Sequence, residues 1–342
     1  MKRTWFAVLM TVCLTVIGYF TFDEERTFNH EADHELYFPD LLERINSVER
    51  IEIRTHRVHF SVDRENDLWS LEQFDSYPAD FSLVRSFLVG LSQLRRLEAK
   101  TDNPDKHVQL DLVGTDSSES KTVRITLSVG DGEALADLYM GRIQQSKSNP
   151  DLSEYFVRHP DQDQVWLVSG SLGLRLSALD WLNTEIVDLD RNDVREMRIQ
   201  IGASPSIRVY KASASDKNFM LANLAEGNKI RHQFRINEIG EVFRKLNFID
   251  VRRTTSWQSS AKAVAATFED LQVAAQLGDG QFSDYAIFSA VAADDASPDV
   301  HENAARLNAR WNLWAYRLSD VRVKTIHASM SQLIEAVSAD DG

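Results

Sequence analysis

The chain has 342 residues, 43% hydrophobic and 26% charged, which is ordinary globular composition for about two domains with real cores. Its net charge of −14 and pI of about 5.1 exclude a duplex nucleic-acid binder, which needs a basic face to neutralise phosphates; here Lys and Arg are scattered rather than striped. The single cysteine, Cys13, excludes an intrachain disulfide and leaves open both a cytosolic domain and an exported one large enough to need no staples.

Lys2 and Arg3 precede an uncharged run from Trp5 to Phe22, which Asp23, Glu24 and Glu25 end abruptly. As a helix the run spans about 27 Å, close to the hydrocarbon thickness of a bilayer. A positive flank before it and acids after it predict an N-terminus in the cytoplasm and the rest outside. The residues "GYFTF" are too bulky for a signal-peptide cleavage site, and Cys13 follows Val12 in mid-run, which is wrong for a lipoprotein. A retained transmembrane helix over residues 1–23, embedded through residues 5–22, is therefore expected, followed by an acidic linker over 24–37.

The globular part reads as α+β. "FPDLLERINSVERIEIR" predicts a short helix running into a strand, and "VHFSVDRENDLWSLE" two strands about a polar turn, with Trp69 and Leu71 inward. A helix follows in "YPADFSLVRSFLVGLSQLRRLEAKT", with Asp80 as N-cap and an apolar stripe of Val84, Phe87, Leu88, Leu91 and Leu94. "KTVRITLSVGDGEALADLYMG" predicts a hairpin turning at Gly130-Asp131-Gly132; "EYFVRHPDQDQVWLVSGSL" predicts two more strands, and "SALDWLNTEIVD" a short helical segment.

The pattern then recurs. "DVREMRIQI" repeats the alternation of "SVERIEIRT", and "NFMLANL" stands in the place of "LWSLEQF". Ile239, Val242, Phe243, Leu246 and Ile249 have the mutual spacings of the first helical stripe. Gly278-Asp279-Gly280 is expected to repeat the first glycine turn. "HENAARLNARWNLWAYRL" reads as a helix and then a strand, and "MSQLIEAV" as a final helix. Two tandem α+β repeats are expected, 38–190 and 191–342, each with antiparallel strands and one main amphipathic helix.

Three features invite a chemical reading. His30-Glu31-Ala32-Asp33-His34 matches the H-E-x-x-H of zinc peptidases, whose histidines hold the metal on one helical face while the glutamate activates water. The context argues for a solvated acidic linker instead: the motif is close to the anchor, lacks an apolar face, and has Tyr37 where the extended motif needs glycine. The two G-D-G turns resemble phosphate loops, but alternating residues follow them rather than a helix N-terminus, so they read as hairpin turns. Of the aromatics Trp69, Trp166, Trp181, Trp257, Trp311, Trp314 and Tyr316, most sit in apolar strands and read as core. Trp257, in the polar "TTSWQSS", is the exception and a candidate ligand contact. No nucleophile elbow or distinguishable carboxylate pair is present. No catalytic, cofactor-binding or metal-binding residue is expected.

Taken in order, "FPDLLERINSVERIEI", "WSLEQFDSYPAD", "VRSFLVGLSQLRRLEAKT", "YFVRHPDQDQVWLVSGSL" and "LDWLNTEIVD" look like the domain-of-unknown-function family 4340. "LNARWNLWAYRLSDVRV" resembles the end of its longer proteobacterial members. The likeness runs from about Phe38 to the C-terminus and rests on the ordered series, not on one diagnostic motif. One departure is "VQLDLVGTDS", where members often carry an L-G-V-type turn. The resemblance implies a single-pass protein of the bacterial inner membrane with its bulk in the periplasm. Such proteins are frequently encoded beside an ABC transporter of the gliding-motility or auxiliary-transport type, and the resemblance carries no catalytic residues with it. The leading expectation is a non-enzymatic accessory protein contacting an ABC transporter's membrane or extracytoplasmic subunits. The alternatives are a module binding an envelope polysaccharide through Trp257, and a zinc peptidase using His30, Glu31 and His34.

Overall fold

Period-two alternation builds most of the chain: along each main strand, buried apolar residues face one side and polar or small ones the other. A computed structural model describes residues 35–129, 132–146, 149–254 and 256–337. The expected anchor over 1–23, nearly all of the linker and the His30–His34 motif lie outside the described residues. Among the described residues no helix is long and apolar enough to cross a membrane. The fold is mixed α and β, dominated by antiparallel sheets.

A short helix α1 (Leu41–Arg44) leads into β1 (Arg50–Arg54), β2 (His59–Glu65), β3 (Leu68–Leu71) and β4 (Tyr77–Pro78). The tight β2–β3 turn places Asn66 and Asp67 at φ of 50° and 65°, the left-handed region that these two residue types tolerate best after glycine. Helix α2 (Phe81–Ser92) starts at Asp80, whose side chain accepts the Ser82 N–H at 2.9 Å. It buries Val84, Phe87, Leu88 and Leu91 as its spacing predicts. There follow β5 (Arg95–Thr101), β6 (Val123–Val129), β7 (Glu133–Gln145), β8 (Ser153–Arg158) and β9 (Val165–Gly170).

The chain continues through β10 (Glu185–Val187), β11 (Val194–Ile201), β12 (Ile207–Tyr210), β13 (Met220–Leu221) and β14 (Asn228–Ile230) to helix α3 (Gln233–Gly240). Next are β15 (Leu246–Asn247), β16 (Asp250–Arg253), β17 (Ser259–Thr267), β18 (Leu271–Gly278) and β19 (Tyr285–Ala292). Helix α4 (Pro298–Trp311), β20 (Trp314–Arg317), α5 (Asp320–Ile326), α6 (Met330–Leu333) and β21 (Ile334–Ala336) complete it.

The first sheet runs β4-β3-β2-β1-β6-β7-β8-β9-β5 and the second β13-β12-β11-β17-β18-β19-β20-β16. Leaving out the two-residue β4, the orders coincide strand for strand. In both sheets a three-stranded meander is followed by a helix that leads to the far edge, β5 or β16. The next strand then returns beside the first, as β6 or β17. The registers agree as well: Ile51 and Ile53 face Leu127 and Ile125, as Met197 and Ile199 face Ala265 and Ala263.

Three expectations change. Helix α3 is shorter than the second stripe predicts: it stops at Gly240, Leu246 enters β15, and Ile249 is 47% exposed. Ile239, Val242, Phe243 and Leu246 are nevertheless buried, because the turn after the helix keeps their side chains on the core. The second G-D-G does not occupy the place of the first. Gly132 lies in the β6–β7 turn, where Gly130 and Asp131 lie outside the described residues, whereas Gly278 ends β18 and Gly280 starts the turn into β19. The hairpin matching β6–β7 is β17–β18, which turns at Phe268–Asp270. Alternation alone has no phase that tells one hairpin from the next. Finally, "MSQLIEAV" forms a single helical turn and then β21, which pairs with β14 and so extends the chain.

Candidate functional site

The sheets meet along an aromatic seam. Tyr77 on β4 is 93% removed from solvent and packs edge-on against Trp314 at 4.8 Å, Phe248 at 5.4 Å and Tyr316 at 6.2 Å. Backbone groups lock the contact. The Arg253 N–H donates to Asp75 Oδ2 and Arg252 Nη1 to the Gln73 carbonyl, both at 2.8 Å. The small β10–β15 ladder and the Trp311 indole, which donates to the Ile186 carbonyl at 3.1 Å, also tie the two halves together. Burial pushes the phenols of Tyr77 and Tyr316 up, since a phenolate has no solvation there.

The outer face of the first sheet is charged and partly roofed. On it His59 pairs with Glu52 at 2.8 Å, and Arg50 pairs with Asp63. Arg124 donates to both carboxylate oxygens of Asp137, at 3.0 and 2.6 Å, and this bidentate bond holds its guanidinium above the ordinary value. Beyond them Arg158 stacks 4.7 Å over the Tyr139 ring. The connection from β5 to β6, residues 102–122, folds back over this end and lowers Leu112 onto Phe156, Val165 and Leu167 in a second small core.

The outer face of the second sheet differs at matched positions. The registers put Val264 where Thr126 stands, Ala266 where Ser128 stands and Ala274 where Asp137 stands. The connection from β16 to β17 spans only 254–258, and Trp257 is its cover. Its indole donates to the Gln276 carbonyl at 3.1 Å and lies 6.0 Å from Phe282, which is 5.7 Å from Tyr285. Gly278 is needed beneath: a Cβ there would come within 2.7 Å of the Phe282 carbonyl and 3.0 Å of the indole. Trp257 is half-buried, a plug in the place that Leu112 fills on the first sheet. Next to it Tyr285 donates to Asp250 Oδ2 at 2.5 Å, and burial together with that carboxylate raises its phenol.

The structure thus groups Trp257 with Phe282 and Tyr285, and buries Trp69, Trp181, Trp311, Trp314 and Tyr316. Trp166 is half-buried under the Arg96 guanidinium, 4.9 Å from its ring. Among the described residues no group of three or more His, Cys, Asp and Glu is placed to hold a metal ion. Lys211 is buried, donates to the Arg191 carbonyl at 3.1 Å and lies 5.3 Å over Phe219. Burial pulls its ammonium below the ordinary value, and it pins the loop that follows β12.

Sequence reasoning missed the outer face of β17–β19, which nothing among the described residues covers. Its signal is present in "AKAVAAT" and "LQVAAQL", where small apolar residues stand at outward as well as inward positions. A strand that is apolar on both faces is one that something covers on both faces.

The family model of a domain of unknown function, DUF4340, matches residues 69–268. Comparison with curated proteins gives no match, and neither does comparison with solved structures.

Proposed function

The chain belongs to the DUF4340 family, a domain of unknown function, and from that premise we propose that it is a non-enzymatic docking protein built of two tandem copies of one sheet. In this reading residues 38–190 and 191–342 are the copies, 24–37 is a linker, and 1–23 is the anchor that holds them in the periplasm. The N-terminus is cytoplasmic, in a bacterial inner membrane. The partners are the membrane or extracytoplasmic subunits of an ABC transporter.

The observation that carries the reading is the pairing of two sheets of one strand order through a buried aromatic seam. A body stiffened in this way presents its outer faces at a fixed spacing, which suits holding partners rather than closing around a substrate. The charge flanks of the uncharged run support the placement in the membrane. The test is affinity purification of the full chain from native membranes in mild detergent, with mass spectrometry of what co-elutes. Transporter subunits in stoichiometric amount are the expected result; a lone monomer overturns the reading.

The row of Trp257, Phe282 and Tyr285 beside Asp250 favours a second reading, an envelope-polysaccharide binding module. It expects glycan binding that Trp257→Ala abolishes. The zinc-peptidase alternative rests on His30, Glu31 and His34; zinc-free protein ends it.

A further inference from the structure

Val264, Ala266, Ala274, Ile287 and Val291 point outward from β17, β18 and β19, and among the described residues they belong to neither hydrophobic cluster. Val291 is 62% exposed. Across the ladder Val264 faces Ala274, and Ala274 faces Ser289. The small Ala266, Ala274 and Ser289 leave a shallow trough between the branched residues, with Gln272 and Gln276 on either side of Ala274 along β18. The three strands span about 10 Å, the width of one helix.

On the β11–β12 side the rim carries an excess of positive charge. There Arg198 and Arg208 share the single carboxylate of Glu196, at 2.8 and 2.7 Å, and Lys262 is exposed in the neighbouring row. A positive strip therefore flanks the trough on a chain whose net charge is −14. A second copy of this face would bring the same strip, and its carboxylates, Glu196 in the strip and Asp250 at the β16 edge, are already paired with arginines, so it does not complement itself. A helix laid along the trough would complete a helix–sheet–helix sandwich, since Trp311 of α4 already packs on the inner face, 5.6 Å from Phe288 of β19.

We propose that the outer face of β17–β19 receives one amphipathic helix of a partner protein. The helix carries small or branched apolar residues along its inner stripe and carboxylates along the flank that meets Arg198, Arg208 and Lys262. This rests on the reading of the chain as a docking protein and names the surface and the chemistry of the partner.

The test places a photoreactive benzoylphenylalanine at position 274 of the full chain in native membranes, with the same residue at position 289 as a repeat and at position 128 of the first sheet as a control. Cross-linked peptides are mapped by mass spectrometry, and thermal melting checks that each variant folds. The expected result is an adduct at 274 and 289 at about tenfold the yield at 128, on a helical segment with Asp or Glu along one flank. Arg198→Glu combined with Lys262→Glu should cut that yield several-fold, because attraction at the rim becomes repulsion. Equal yields at 274 and 128, or adducts only to lipid, to a second copy or to a segment without acidic residues, overturn the proposal. If transporter subunits co-purify while 274 captures no helix, the face is wrong and the accessory reading stands. An acidic-flanked helix captured from a protein other than a transporter subunit upholds the face and removes the transporter.

Discussion

The two large sheets share a strand order and a register, yet their outer faces solve the same exposure problem differently. The first pairs its charges, with Arg124 on Asp137 and Glu52 on His59, and roofs its apolar end with its own long connection. The second has a short connection and one plug, Trp257, and leaves valine and alanine where the first has threonine and aspartate. The lesson is that topology fixes which positions face outward, while connection length decides whether the chain covers them itself. The inner faces show no such divergence, because both close on the same core and tolerate only close packing.

The sharpest way to break the comparison is at the seam. Tyr77→Ala removes the ring around which Trp314, Phe248 and Tyr316 pack, and should cost about 3–5 kcal/mol in chemical denaturation. If the seam is what couples two sheets that each hold on their own, the variant should unfold in two transitions where the parent unfolds in one. A loss below about 1 kcal/mol would mean that the sheets are held together elsewhere.

The two covers come next. Leu112 is fully buried, so Leu112→Ala should cost about 3 kcal/mol. Trp257 is only half-buried, and Trp257→Ala should cost about 1–2 kcal/mol, read from the same denaturation curves. The reverse ranking would show that the indole does more than plug.

Alkaline pH tests the buried phenols. Burial pushes Tyr37 up from 10.0 to about 12. A group with a raised folded pKa contributes stability that is intact below its unfolded value and lost as pH rises toward the folded one. Stability should therefore fall by about 1.4 kcal/mol per pH unit between 10 and 12 for this group. Tyr77 and Tyr316 act in the same direction at the seam. Tyr37→Phe should flatten the slope of a pH titration of the melting temperature; an unchanged slope assigns the loss to the seam tyrosines.

The smallest effects sharpen the contrast between the outer faces. Asp137→Ala leaves the half-exposed Arg124 unpaired and should cost about 1–2 kcal/mol. Ala274→Asp, the matched position in the second sheet, should change stability by no more than about 0.5 kcal/mol, since Ala274 belongs to neither hydrophobic cluster of the described chain. Equal losses would mean that the second face is already covered from within.

The sequence by itself determined the inward Trp69 and Leu71 of β3, the Asp80-capped helix with its stripe, the burial of Trp181, Trp311 and Trp314, and the family. These are local, since alternation, helical spacing and capping act within one segment. Only the tertiary structure decided where α3 ends, which hairpin carries the second G-D-G, what Trp257 lies on and which outward faces stay open. Each of these depends on which strands become neighbours and how long the connections between them are. A period-two pattern reads the same for a face roofed by a distant loop and for one left to a partner, because the covering atoms come from elsewhere in the chain.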